Sequence, residues 1–139
     1  MLAMANEDGI YSLDFTDEDK PKSSKNKLLL WLKSELDEYF ALKRQEFTVP
    51  LAPAGTPFQM SVWHTLQKIP YGETVSYAAE AQMLGRPSAV RAVASANGRN
   101  PISILIPCHR VIASGGGIGG YSGGVWRKEF LLALEAKHC

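Results

Sequence analysis

Cysteine is scarce: Cys108 and the terminal Cys139 are the only two in the chain. Two thiols cannot build a disulfide framework or a cysteine-rich zinc site, so any sulfur chemistry belongs to a free thiol. No cysteine or histidine precedes His64, and neither His64 nor His138 has a partner at ligand spacing, so no metal and no cofactor are expected. Long apolar runs are missing too. The longest, Leu28 to Leu32, is far short of a membrane span, and Glu7 and Asp8 stand where a signal peptide needs a basic start. A soluble protein is expected, cytoplasmic or nuclear, neither secreted nor on a membrane. Charge of one sign is also lacking. Fifteen basic against fourteen acidic residues leave a net +1, which points to neither a basic nucleic-acid binder nor an acidic tail.

What is present is 139 residues of ordinary globular composition, 45% hydrophobic and 21% charged. That suffices for one domain, or one compact domain with a short appendage. The charge is unevenly spread. Residues 1–54 carry seven basic and ten acidic groups, net −3, and residues 55–139 carry eight and four, net +4.

In the acidic part, Ile10 to Phe15 alternates like a short strand and Thr16 to Lys25 reads as a polar loop. Leu28, Leu32, Leu36, Tyr39 and Phe40 recur at helical spacing, with Ser23 or Ser24 as candidate cap. Residues 1–52 are thus read as a reduced N-terminal segment of one strand and one helix, and 53–139 as the main domain after the Pro- and Gly-containing linker Leu51 to Gly55. Thr56, Pro57 and Gln59 form a capping box with proline in the first helical position. The helix should run to Ile69, burying Phe58, Val62, Trp63, Leu66 and Ile69. A second helix is expected over Ser76 to Leu84, a turn at Gly85-Arg-Pro87, and a third helix from Ala89 to about Asn97 capped by Ser88. Helix, glycine turn, helix is the helix-turn-helix pattern. The third helix is rich in alanine, so a large rigid partner could approach closely, and Arg91 is its one long cation. Ile102 to Ile106 reads as a buried strand, Val111 to Tyr121 as a glycine-rich loop or wing, and the last helix as burying Trp126, Phe130, Leu131 and Leu134. The fold class expected is α+β: a mainly helical winged helix-turn-helix domain with a short strand.

Cys108 is flanked by Pro107 and by His109-Arg110. A free thiol is only a few per cent ionised at neutral pH, and a neighbouring histidine or arginine activates it. In extended backbone adjacent side chains point to opposite faces, so His109 serves Cys108 only through a turn or a bridging water. A third, orienting carboxylate is then needed. Glu135 is the best candidate, because the other acids lie on surfaces that read as solvated.

Ile106-Pro-Cys-His-Arg-Val-Ile112, preceded by Ala96-Asn-Gly-Arg-Asn-Pro101 and followed by Gly120-Tyr-Ser-Gly-Gly124, resembles the O6-alkylguanine-DNA alkyltransferases, the methylated-DNA–protein-cysteine methyltransferases. Gly72-Glu-Thr-Val-Ser-Tyr77 and the Arg91 region add to the likeness, which extends from about Phe58 to Glu135. The resemblance implies a suicide DNA repair enzyme that moves the alkyl group of O6-alkylguanine, with O4-alkylthymine as a further substrate, to Cys108. Its partner would be double-stranded DNA; the protein would act as a monomer, with cooperative binding along DNA as a further expectation. It implies His109 as base through a water, Glu135 as the group orienting it, Asn100 as a tie between the turns of the site, and Tyr77 as donor to the guanine ring. Ser122, Tyr121 and the Val111 carbonyl would line the pocket. Arg91 would take the place of the flipped nucleotide, with Arg86, Ser88, Ala89 and Ser114 near phosphates. Three rivals remain: an alkyltransferase-like damage binder, which would lack the cysteine; a winged-helix regulator with a structural or redox-sensing thiol; and a Cys-His hydrolase.

Overall fold

The computed structural model describes residues 1–16, 26–113, 115, 117–121 and 123–138. The chain divides into two compact units, Met1–Ala54 with Pro101–Ser103, and Gly55–Asn100 with Ile104–Cys139.

The first unit opens with a hairpin of two strands where one was expected. β1 (Leu2–Asn6) pairs antiparallel with β2 (Gly9–Asp14), from Leu2 opposite Asp14 to Asn6 opposite Gly9. The signal overlooked is the turn: the Asn6 side chain accepts from the Asp8 and Gly9 amides at 2.9 and 3.2 Å. Gly9 adopts φ 148°, and a Cβ there would meet the Pro50 carbonyl oxygen at 2.5 Å, so no other residue fits. Ile10 and Leu13 of β2 are buried, and their backbones pair in parallel with Leu51 and Ile102. α1 (Lys27–Phe40) buries Leu32, Leu36 and Tyr39, while Phe40 stays exposed. Its cap is Asn26, which accepts from the Leu28 and Leu29 amides; Ser23, Ser24 and most of the expected polar loop lie outside the described residues. Glu35 is also buried, contrary to the reading of the remaining acids as solvated. It accepts from the Thr48 and Val49 amides and the Thr48 hydroxyl, and pairs with Arg44 at 2.9 Å. Burial alone would raise its carboxyl; these donors outweigh burial and hold it below the usual range.

The second unit begins with α2 (Pro57–Leu66), whose capping box joins Thr56 and Gln59. The helix stops at Leu66 and a turn carries the chain through Ile69; Val62, Trp63, Leu66 and Ile69 are buried, Phe58 half so. The Trp63 indole donates to the Ala96 carbonyl at 2.9 Å, fixing α2 against the helix that carries Ala96. β3 (Val75–Ser76) pairs in parallel with β4 (Val111–Ile112), a ladder too short to register in the sequence pattern. α3 (Tyr77–Met83) is capped by Ser76 and ends near Gly85, at φ 82°. α4 (Val90–Gly98) follows; Ser88 does not cap it, for Ala89 holds the cap position without a side-chain bond.

Ile102 to Ile106 is buried but is no strand. It is a run of turns with a single bridge at Ile102, and Ile104 sits at φ 72°. A short apolar run does not distinguish a core strand from buried turns. A β-branched residue at that φ is strained, and its burial is what holds it there. The residues after β4 contain Ala113, whose amide donates to the Gly117 carbonyl; Ser114, Gly116 and Ser122 lie outside the described residues. α5 (Val125–His138) corrects another expectation: Trp126 and Phe130 face outward, at 65% and 54% exposure, and Lys128, Leu131 and Glu135 face inward. Among the described residues, then, five α-helices accompany two small sheets. No helix among them is long and apolar enough to cross a membrane.

Thr56→Ala removes one side of the capping box and leaves the Gln59 amide without its acceptor. A loss of about 1 kcal/mol is expected in urea unfolding, with the m-value unchanged.

Candidate functional site

Cys108, His109 and Arg110 form a 3₁₀ turn between Pro107 and β4 rather than extended backbone. The turn is buried, with His109 wholly enclosed. His109 Nε2 lies 2.6 Å from Glu135 Oε2 on α5. Arg110 reaches the same carboxylate with two bonds, Nε to Oε1 at 2.8 Å and Nη2 to Oε2 at 3.0 Å, while its Nη1 donates to the Ile69 carbonyl. The Gly72 amide adds a longer bond, 3.3 Å, to Oε1.

These neighbours act on the charge states of Glu135 and His109. Burial would raise the Glu135 carboxyl, but the donors from His109 and Arg110 overturn that and hold it at about 2. Burial lowers His109, and the adjacent guanidinium of Arg110 lowers it further, against the pull of Glu135. The ion pair is therefore Arg110 with Glu135, and the histidine beside them is neutral. An ionised carboxylate only accepts, so the Nε2 contact requires the proton on Nε2. His109 Nδ1 then carries the lone pair, and it has no hydrogen-bond partner among the described residues.

Asn100 Nδ2 donates to the Ile106 carbonyl at 2.7 Å and to Cys108 Sγ at 3.2 Å. One amide thus spans the turn before the cysteine and touches the thiol. Burial pushes Cys108 up to about 11 from an ordinary 9.0, with Asn100 and Lys128 opposing and Glu80 adding to the rise. That is a cost of about 3 kcal/mol against the thiolate, which a base must offset.

Lys128 escaped the sequence reading. It is fully buried and donates to the Val111 carbonyl at 2.5 Å and the Gly120 carbonyl at 3.2 Å, with its ammonium 5.9 Å from the Tyr77 ring centre. Burial lowers its value, and the Cys108 thiolate partly restores it. Residues 128, 131 and 135 stand at helical spacing on one face, the signal that could have revealed it; the bulk of Trp126 and Phe130 pointed to another face. Tyr77 is half-buried at the start of α3. Burial and the negative charges of Cys108 and Glu80 raise it, against a hydrogen bond from the Gly120 backbone. A Cβ on Gly119 would come within 3.0 Å of the Tyr77 hydroxyl, so this glycine keeps the loop close to the ring.

Val111 is buried and Tyr121 half-buried, while Ser122 and Ser114 lie outside the described residues. Arg91 is exposed on α4, on a face shared with Ala92, Ser95 and Gly98. Arg86 and Ser88 are exposed in the turn before it, the Arg86 guanidinium 5.7 Å above the Phe58 ring, and Ala89 is half-buried. Cys108, His109, Glu135, Asn100 and Tyr77 thus converge, while Arg91 and Arg86 are surface groups on the α3–α4 side of the unit. No cluster of three or more His, Cys, Asp or Glu fit to hold a metal occurs among the described residues.

A family model described as 6-O-methylguanine DNA methyltransferase, DNA binding domain, matches residues 57–137. A second, described as 6-O-methylguanine DNA methyltransferase, ribonuclease-like domain, matches residues 2–53. A methylated-DNA–protein-cysteine methyltransferase of Methanosarcina barkeri is 47% identical over 97% of this chain and 89% of its own length. The protein of that name from Methanosarcina acetivorans is 54% identical over 73% of this chain, and the match spans 65% of the relative's length. Among solved structures, Mycobacterium tuberculosis OGT in complex with DNA superposes with a TM-score of 0.89 at 40% identity, covering 99% of this chain and 86% of that one.

The Glu135 network has a pH signature. Its folded value, about 2, lies below the ordinary 4.5, so its stabilisation is complete above about pH 4.5 and is lost as pH falls toward 2. Glu135→Gln is expected to be destabilised at neutral pH and to flatten the acid limb of melting temperature against pH.

Proposed function

Since the chain belongs to the 6-O-methylguanine DNA methyltransferase family, we propose that it repairs DNA by moving the alkyl group of O6-alkylguanine onto its own Cys108. The observation that carries this reading is a buried thiol bonded to Asn100 and followed directly by a neutral histidine whose Nε2 is engaged and whose Nδ1 is open.

In this scheme Cys108 gives its proton through a bridging water to His109 Nδ1, and Glu135 holds the imidazolium that results. Asn100 and Lys128 offset the charge on sulfur. The thiolate attacks the alkyl carbon, the S–C bond forms, and the C–O6 bond breaks with its electron pair passing into the guanine. Tyr77 donates to the ring as that charge develops. Val111 and Tyr121 line the base pocket. O4-alkylthymine presents the same kind of alkyl ether and serves as a second substrate.

A base stacked in a duplex cannot present O6 to a buried thiol, so the nucleotide must flip out, at about a few kcal/mol. α3, the Gly85 turn and α4 act as a helix-turn-helix that lays the small face of α4 in the minor groove, and Arg91 fills the vacated place. Arg86, Ser88 and Ala89 meet phosphates, and the glycine-rich stretch after β4 serves as the wing. The M. tuberculosis relative solved in complex with DNA supports DNA as the partner. A thioether is a very poor leaving group, so each monomer reacts once.

Mass spectrometry of the Cys108 peptide after incubation with an O6-methylguanine duplex should show one added methyl, and Cys108→Ala should leave the lesion intact. An unmodified peptide overturns the reading. Arg91→Ala should slow repair in duplex far more than reaction with free O6-benzylguanine; equal losses would remove the flipping role. The added alkyl group strains a packed site by about 1–3 kcal/mol, so the alkylated protein should melt several degrees below the free one.

A further inference from the structure

A second buried carboxylate takes no part in that scheme. Glu80 on α3 is 1% exposed and Asn97 on α4 is 6% exposed. Asn97 Nδ2 donates to Glu80 Oε1 at 2.7 Å. The two remaining polar atoms of the pair, Glu80 Oε2 and Asn97 Oδ1, have no hydrogen-bond partner among the described residues. When Glu80 is ionised both are acceptors, and two acceptors cannot satisfy each other. A proton on Oε2 supplies the missing donor. Acid and amide, already joined along one edge, then have a complementary donor and acceptor on the other.

The surroundings favour the same state. Burial raises Glu80 to about 7, with the Asn97 bond only partly opposing it. Among the described residues no cation pairs with it, unlike Glu35 and Glu135. The titratable groups that feel it are Tyr77 on its own helix and Cys108 on the 3₁₀ turn, and a charge on Glu80 raises both. Lys128 on α5 stands near Tyr77 and Cys108, α4 offers the Asn97 amide and the exposed Arg91, α2 has only the exposed His64, and β3 and β4 carry no charge.

Building on the alkyl-transfer reading of Cys108, we propose that Glu80 is a positioning residue kept as a neutral acid, which joins α3 to α4 through Asn97 and spares Cys108 and Tyr77 a nearby negative charge. Its ionisation is a brake. As pH rises and Glu80 releases its proton to water, the thiolate becomes harder to form where alkalinity would otherwise favour it.

Glu80→Gln isolates this, because its amide offers both the donor and the acceptor of the neutral acid and never ionises. The folded value of Glu80 lies above the ordinary 4.5, so its contribution to stability is complete below about pH 4.5 and is lost as pH rises to 7. Wild type and Glu80→Gln should melt together near about pH 4, and the variant should melt higher near about pH 8. Iodoacetamide labelling of Cys108, read by mass spectrometry, should be equal in the two at about pH 5 and roughly two- to tenfold faster in the variant at about pH 8. Methyl transfer from an O6-methylguanine duplex should follow the same profile. Coincident labelling curves across the whole range overturn the proposal, as does a variant that melts below wild type at about pH 4. In wild-type protein carrying carbon-labelled glutamate, a Glu80 carboxyl that titrates in the ordinary range also overturns it, whatever the variant does. Iodoacetamide needs no alkylguanine, so a divergent labelling profile with no methyl transfer would sink the repair reading and leave this one standing.

Discussion

The Glu135 carboxylate is the interaction on which the rest of the reaction unit depends. It ties α5 to the turn of Cys108 through His109 and Arg110, and to the segment after α2 through the Gly72 amide; Arg110 extends the tie to the Ile69 carbonyl. An enclosed charge of this kind is tolerable only when its oxygens are saturated by donors and one of those donors is a fixed cation. The arrangement also divides the labour between two basic residues. Arg110 takes the charge of the pair, and that frees His109 to remain neutral with one nitrogen open.

Three buried carboxylates among the described residues show how the count of donors decides the state of an acid. Glu35 receives two backbone amides, a hydroxyl and the Arg44 guanidinium, and stays ionised. Glu135 receives a guanidinium through two bonds and an imidazole, and its value falls to about 2. Glu80 receives a single amide and rises to about 7. Burial acts in the same direction on all three, so the difference lies in what stands opposite each oxygen.

Legibility followed the range of the interactions. The start of α2 was readable because Thr56, Pro57 and Gln59 satisfy one another within four residues, and the buried side of α1 because Leu32, Leu36 and Tyr39 repeat at helical spacing. Cys108 stood out through its immediate neighbours, and Glu135 as the partner of His109 through elimination and resemblance. The first hairpin went unread because its turn is held by one Asn6 side chain ahead of an Asp-Gly pair. Ile102 to Ile106 was misread because a strand and a chain of buried turns leave the same apolar run. On α5, side-chain bulk suggested Trp126 and Phe130 as the inner face, whereas a lysine occupies it.

By itself the sequence determined the capping box of α2, the main helices, the Pro-Cys-His-Arg motif and the family to which it belongs. Each of those rests on residues close together along the chain or on a motif in fixed order. Tertiary structure alone decided which acids are buried, which nitrogen of His109 is engaged, and that Lys128 joins Val111 and Gly120 beside the thiol. The physical reason is that charge state depends on donors and dielectric in space, and the groups that set them for Cys108 come from α3, α5 and the turns between, up to 28 positions away in the chain.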